Sequence, residues 1–547
     1  MEHLDKKSKI TIMVAIMSAL LFVALNQTIV GTALPKIIAD LGGMEYFSWV
    51  FTIFMLTSSV TAVLVGKLSD IYGRKPFILL GIGIFMAGTF MCGTSDSIIQ
   101  LIIYRGIQGF GGGMVMSTSF TAVGDLFSPR ERGRWQGIMG GVFGLASVFG
   151  PTLGGYIVDN ADWHWVFWIF LPVGIVAFIL IMRLFPSVTK KEGESVDYFG
   201  SVFLTLTILP MLLAFSWAGK EYDWTSPQII GLFSASVVAL LIFISIERKA
   251  KSPVLPLELF KNDIFSLSNI IGFILGMGMF GAIMYTPFFI QGVMGTSATK
   301  SGFIMMPMTL AMVTASALGG QLITKTGKYK IIAIIGLLVM ASGMFSLSRM
   351  DMDTSTLVAI LNMITVGLGL GMSFPVFTLT IQNAVNYKFL GVATSSAQLF
   401  RQLGGTVGVS IMGTVMASSM KDEMAQMAPK GGTEAIAQNP QVAEKFKALQ
   451  DPQALMDADK LEAIRQTLPE QMTGMFDQIV MVLRTSLSHA LNDVFLTGMF
   501  LLTAAVILTF FLREIPLRMS NKEEEPIAEH GDEKVLKQEK FKEQYQR

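Results

Sequence analysis

The 547-residue chain has little charge: Asp, Glu, Lys and Arg make up 15% of it, against about 25% in soluble domains. Its single cysteine, Cys92, excludes an intrachain disulfide and any cysteine-based metal site. Four histidines, two of them near the termini, leave little material for a histidine metal cluster. The 41 basic and 40 acidic residues nearly cancel, so the concentrated basic footprint that nucleic acid requires is missing. No Gly-x4-Gly-Lys-Ser/Thr phosphate loop occurs, so nothing supports ATP-driven work. No acid/base, nucleophile or metal constellation stands out, and an enzyme is not expected. Disorder of the whole is excluded by 40 phenylalanines and 10% aromatic residues.

What the chain has is long apolar runs, with 52% hydrophobic residues. A helix needs roughly 20 apolar residues to cross about 30 Å of hydrocarbon. Ile10–Pro35, Tyr46–Gly66, Pro76–Ser95, Ser97–Gly124 (broken only by Arg105), Trp135–Val158 and Trp163–Met182 form a first set of six. Tyr198–Gly219 and Trp224–Ile246 follow. A second set of six starts near Ile264 and continues with Ser301–Thr324, Ile331–Ser348, a run inside Thr354–Tyr387, Gln402–Met420 and Val494–Leu512. The expectation is an all-α integral membrane protein with fourteen crossings. The first run, 26 residues without a small-residue cleavage pattern, is not expected to be a signal peptide.

Basic residues mark one side. Lys6, Lys7 and Lys9, then Lys67, Arg74 and Lys75, then Arg130, Arg132 and Arg134 occupy alternate loops. Arg183, Lys190 and Lys191, Arg248, Lys249 and Lys251, and Lys325, Lys328 and Lys330 continue the pattern. Fourteen crossings place all of them on one face and predict both termini in the cytoplasm of a cell with the chain in its plasma membrane.

A division follows: N-terminus 1–9, a first six-helix bundle 10–185, a linker 186–262 holding inserted helices seven and eight, a second bundle 263–515, and a cytoplasmic tail 516–547. Polar residues 421–489 form an external segment, with short amphipathic helices expected around Gln441–Leu468 and a break at Pro452. The tail from Ser520 is expected to be solvated and disordered. An internal repeat supports the two bundles. Gly66-Lys-Leu-Ser-Asp-Ile-Tyr-Gly-Arg-Lys75 is echoed by Gly320-Gln-Leu-Ile-Thr-Lys-Thr-Gly-Lys328, with Thr324 in place of Asp70. Parallel six-helix repeats with substrate held between them are an architecture of alternating-access carriers.

The Gly66–Lys75 loop resembles the signature of the major facilitator superfamily. Arg105-Gly-Ile-Gln-Gly-Phe-Gly-Gly-Gly113 resembles its fourth-helix motif, and Gly150-Pro-Thr-Leu-Gly-Gly155 the fifth-helix motif of drug:proton antiporters. Leu25–Pro35 and Gln398–Gly405, with Arg401, Gln402 and Gly404, are similar to motifs of the 14-span drug:proton antiporter branch, which includes Gram-positive multidrug efflux proteins. The resemblance covers about residues 10 to 515. It implies a major facilitator fold of two six-helix bundles plus two inserted helices. It implies export of hydrophobic or cationic compounds, antibiotics included, in exchange for protons, with the proton gradient as energy source and no cofactor. Departures are Asn26 where the family has an acid, Ala146 for a usual Gly, and Phe170 where Asn is frequent.

The motif residues suggest roles. Arg105, Gln108, Gly109 and Gly112 share one helix face, two polar groups toward the cavity and two glycines for close contact. Arg105 lies roughly 12 Å and Asn26 roughly 13 Å below the outer helix ends, at matching depth. Asn26, Gln27, Thr28, Arg105 and Gln108 are thus the candidate coupling and substrate residues. Arg105 bracing carbonyls or snorkelling is the structural alternative. Gly66, Asp70, Gly73, Arg74 and Asp125 are candidates for a latch in which Asp70 caps a helix and attracts a base; a plain topology signal is the alternative. Gly150, Pro151, Gly154 and Gly155 are candidates for a kink that gates, or a merely structural one. Met277, Met279, Met284, Met305, Met306 and Met308 suit an adaptable cavity, and Trp49, Phe143, Phe273 and Tyr285 could stack on cationic aromatics; packing is the alternative for both. No carboxylate lies deep in a crossing, since Asp125, Glu247 and Asp493 sit near the ends. With Asn26 mimicking a protonated acid, export is expected to be weak or independent of pH. The expected partners are small substrates, protons and lipids, with no nucleic acid, and the chain is expected to act as a monomer. Two other functions fit the sequence: export of an endogenous lipid-like or siderophore-like metabolite, and a non-transporting scaffold or sensor built on 421–489.

Overall fold

In hydrocarbon a backbone must satisfy its own N–H and C=O groups, and a continuous helix does so within one segment. The computed structural model describes residues 4–41, 46–186, 197–219, 221–296, 298–427, 461, 465–466 and 470–517, and every apolar run in it is helical. The first six crossings are α1 (Lys6–Leu41), α2 (Phe47–Tyr72), α3 (Arg74–Cys92), α4 (Ile98–Leu126), α5 (Pro129–Asn160), and α6 (Trp165–Trp168) with α7 (Leu171–Leu184). The inserted pair is α8 (Tyr198–Trp217) and α9 (Pro227–Glu247). The last six are α10 (Asp263–Pro287), α11 (Ala298–Thr326), α12 (Tyr329–Leu347), α13 (Thr356–Ala384), α14 (Leu390–Met427) and α15 (Glu470–Phe511). Among the described residues the only β pairing is an isolated bridge between Ala218 and Tyr222. Polar caps start several helices: Asp197 accepts from Gly200 N–H at 2.8 Å, and Asn262 from Ile264 and Phe265 N–H at 2.9 and 3.2 Å.

Thirteen of these crossings are long and apolar enough to span a bilayer. The fourteenth is α4, whose 29 residues suffice in length but include Arg105, Gln108 and many Gly, Ser and Thr. Its neighbours explain the tolerance. From Gly111 to Leu126 every residue of α4 except Met116 is buried, and the helix packs against α2 and α3.

Two boundaries differ from the hydropathy reading. α14 begins at Leu390, a full three turns before Gln402, and α15 begins at Glu470, far ahead of Val494. Hydropathy marks only the stretch that lipid touches, whereas a helix continues wherever other helices or water can cover polar side chains. The segment 421–489 is therefore flanked by helical extensions, joined where His489 Nδ1 meets Glu423 Oε2 at 3.1 Å. The Pro452 break and almost all of the helices expected at 441–468, the pair Lys190–Lys191, and the tail from Ser520 lie outside the described residues.

Packing repeats in the two sets of six. α1 lies on α5 and α7 as α10 lies on α14 and α15; α4 lies between α2 and α3 as α13 lies between α11 and α12. The sequence repeat has a conformational counterpart, since Gly73 (φ 88°) and Gly327 (φ 72°) occupy the same offset in the left-handed region that favours glycine. The sets meet along two seams, α5 against α11 and α2 against α14. α8 and α9 pack on each other, and α8 also leans on α2 and α14. Each set has its own apolar core, and Phe374 packs against both.

Glycines set the closeness of the crossings, as expected where lipid offers no hydrophobic drive between helices. A Cβ on Gly404 would lie 1.9 Å from Phe273 O, and one on Gly371 2.1 Å from Met312 O.

Candidate functional site

Four helices of the first set converge on one buried polar cluster. The Asn26 side chain donates to Phe22 O at 3.1 Å, and its Oδ1 accepts from Gln108 Nε2 at 3.5 Å. Gln108 Nε2 also donates to Thr89 Oγ1 at 2.6 Å, and Gln108 Oε1 accepts from Arg105 Nη1 at 2.5 Å. Arg105 Nε donates to Val50 O at 3.2 Å, and the guanidinium lies 4.5 Å from the centre of the Phe54 ring. Asn26, Arg105 and Gln108 are each 0% exposed. A carbonyl, an amide oxygen and a π face thus disperse a cation inside a membrane helix. Arg105 Nη2 is buried with no acceptor.

The matching depth expected for Asn26 and Arg105 is realised through Gln108. The expected outlook toward a cavity is not, because the cluster lies sealed within the first set of six. Glycine permits this: a Cβ on Gly109 would meet Thr57 Oγ1 at 2.2 Å, so α4 presses onto α2. Gln27 and Thr28 go elsewhere. Gln27 reaches Met55 Sδ at 3.7 Å, and Thr28 donates to Ala146 O of α5 at 2.9 Å. Gly150 lies opposite, where a Cβ would sit 2.0 Å from Thr28 Oγ1. The first- and fifth-helix motifs therefore build one tight α1–α5 crossing. α5 runs unbroken through residues 150–155, with Gly154 buried and open space beside Gly155; the side chain of Pro151 lies outside the described residues.

A second network sits on the basic face. Arg74 pairs with Asp70, donates through Nη1 to Ser69 Oγ at 2.7 Å, and reaches Asp125 Oδ2 through Nε at 3.0 Å. Asp70 does what its type and place suggest, but across the seam: it accepts from Gly391 and Val392 N–H at the start of α14, both at 3.1 Å. Tyr387 donates to Asp125 Oδ1 at 2.8 Å, adding a second tie between the sets. Gly66 lets α2 approach, since a Cβ there would lie 2.6 Å from Ser395 Cβ. Further along, Gln136 donates to Gln382 at 2.9 Å and Ser59 to Gln402 at 2.7 Å. Tyr387, Gln136 and Gln382 were invisible in sequence, because their pairing depends on which loops and helix faces meet.

On the opposite face, Asp493 accepts from Ser419 Oγ at 2.6 Å beside a cavity of about 600 Å³ that Trp224, Asp422 and Glu423 also line. Most of the rings expected to stack on ligands are used in packing: Trp49 on Trp217, Phe143 on Phe120, and Tyr285 O–H to Val409 O at 2.8 Å. Met277, Met279 and Met308 are core residues, whereas Met284 is exposed.

Two parallel sets of six, tied where a charged loop of the first offers its acid to the start of a helix of the second, meet their counterpart in known proteins. A sequence profile described as Major Facilitator Superfamily matches residues 16–409. The chain belongs to that superfamily. Multidrug transporter protein MdtP of Bacillus subtilis is 41% identical over 528 residues, covering 96% of each chain. Multidrug resistance protein 3 of the same organism is 34% identical, covering 92% of this chain and 94% of its own. Among solved structures, a proton:xylose symporter of the superfamily superposes with a TM-score of 0.59 at 14% identity, covering 94% of this transporter and 98% of the symporter. The fold expected from the sequence is therefore the one found.

Proposed function

We propose that this transporter exports hydrophobic compounds across the cell membrane in exchange for protons, by alternating access of a single chain whose basic face lies in the cytoplasm. One observation carries the reading: a buried carboxylate, Asp70, holds the start of α14 across the seam by two backbone N–H bonds and is balanced by Arg74. Such a latch exists only while the bundles touch on that face, so it biases a two-state element. The multidrug relatives and the basic loops support export and orientation.

Asn26 cannot release a proton, and among the described residues the buried carboxylates at the seam are Asp70 and Asp125. Protonating either removes charge from the latch, which gives the proton a way to open the cytoplasmic side. The test is export of a panel of hydrophobic dyes from proteoliposomes after a pH jump. Accumulation that follows the imposed gradient supports the proposal; dye movement indifferent to it, in a folded preparation, overturns the proton exchange.

A further inference from the structure

Arg401 has no part in the cycle described above, yet it is a cation placed roughly 16 Å along α14 from Leu390. The hydropathy runs left it at an edge; the helix carries it to mid-depth. A guanidinium at such depth is expensive and ordinarily has partners. Among the described residues Arg401 has no carboxylate partner and no side-chain hydrogen-bond acceptor, and its guanidinium lies over the face of Phe374, 4.1 Å from the ring centre. It is half-buried, whereas Arg105 is sealed and engaged by Val50 and Gln108. Phe374 packs against both cores, and the next residue, Gln402, is bonded to Ser59 of α2, so this stretch of α14 lies at the seam.

One turn earlier, on the same face at i, i−3, stands Gln398. It is 4% exposed, and its Nε2 has no acceptor. At mid-depth in the seam there are thus a buried Gln398 donor without an acceptor and a half-buried Arg401 cation without a counter-charge, and no carboxylate lies at that depth among the described residues. A buried unsatisfied donor destabilises the empty state, and an unpaired cation repels a cationic ligand while attracting an anionic one.

We propose that Arg401 and Gln398 form an oxyanion subsite, and that the compounds carried are amphiphiles ending in a carboxylate, phosphate or sulfonate, with the apolar part against Phe374. This deepens the exporter reading and rests on it for turnover, though not for binding.

The test uses the purified full-length protein and three dansyl-undecyl probes ending in a carboxylate, a methyl ester or a trimethylammonium group. Equilibrium binding is read by dansyl fluorescence, and movement of the carboxylate and ammonium probes is followed in proteoliposomes. The carboxylate should bind at least about tenfold tighter than the others, as one charge-assisted hydrogen bond implies. Arg401→Gln should abolish that preference, Arg401→Lys should keep part of it, and Gln398→Leu should weaken carboxylate binding alone. Competition then separates the sources of the anion: displacement by lysophosphatidylglycerol points to a lipid headgroup, displacement by naphthalene sulfonate to an aromatic anion, and failure of both overturns the subsite. Equal or tighter binding of the ammonium probe overturns it too. So does an Arg401→Gln variant that slows all probes with unchanged carboxylate affinity, which would make Arg401 a brace for Phe374. If no probe moves in proteoliposomes the exporter reading falls, while the binding result still decides the subsite.

Discussion

Replacing Asp70 by asparagine should open the basic face. Asp70 is 8% exposed, accepts two backbone N–H bonds across the seam and pairs with Arg74, which is 6% exposed. An amide keeps one acceptor oxygen and turns its NH2 toward another donor, so at least one charged cross-bundle bond is lost, worth about 1.5–3 kcal/mol. Arg74 is left with Asp125 as its only carboxylate. These bonds form only with the bundles together, so the loss falls on the closed state. A difference of about 3 kcal/mol moves the equilibrium about a hundredfold toward the open state. The chain lends itself to the assay because its single cysteine, Cys92, is fully buried and can be replaced by alanine. Ser395→Cys then places a thiol in the α2–α14 seam, next to Gly66. Maleimide labelling from the basic side should rise about a hundredfold in Asp70→Asn, in step with that shift. Tyr387→Phe, which removes one hydrogen bond to a charged group, should give a rise of about tenfold. Labelling unchanged in Asp70→Asn, together with a tenfold loss of probe affinity, would refute the latch and place Asp70 with the ligand.

Arg105→Lys keeps a charge but cannot reach Val50 O and Gln108 Oε1 together, so transport should fall at least about tenfold, as losing one charged hydrogen bond implies; near-normal export with a lowered melting temperature would reduce Arg105 to a brace. Asn26→Asp places an acid against Gln108, which is itself bonded to Arg105, and should make the pH dependence of export steeper than in the parent; identical pH profiles in the two proteins would count against any coupling at this position. Gly150→Val forces α1 and α5 apart, since its Cβ would meet Thr28 Oγ1 at 2.0 Å. Overpacking of this kind destabilises by about 1–3 kcal/mol, which a drop in the detergent melting temperature would register, and a melting temperature equal to the parent's would show that the crossing yields freely.

Composition and spacing alone were enough for the architecture. Helices that face lipid need long apolar runs, and alternating basic loops keep the count honest, so the crossings could be read without any contact information. The Gly66–Lys75 repeat was equally legible, because the same turn needs glycine at the same offset, as Gly73 and Gly327 bear out. The site was legible only in fragments. Asn26, Arg105 and Gln108 could be matched by depth, since rise per residue is a local property. That they close a sealed cluster with Thr89, Val50 and Phe54, while neighbouring Thr28 turns to α5, depends on helix rotation and crossing, which no local pattern encodes. Hydropathy likewise could not place Arg401, because it reports what lipid touches, not how far a helix continues once other helices cover it. Asp70 shows the division most sharply: its sequence neighbourhood says that it should cap a helix and hold a base, but only the packing of α2 against α14 decides that the helix belongs to the other bundle.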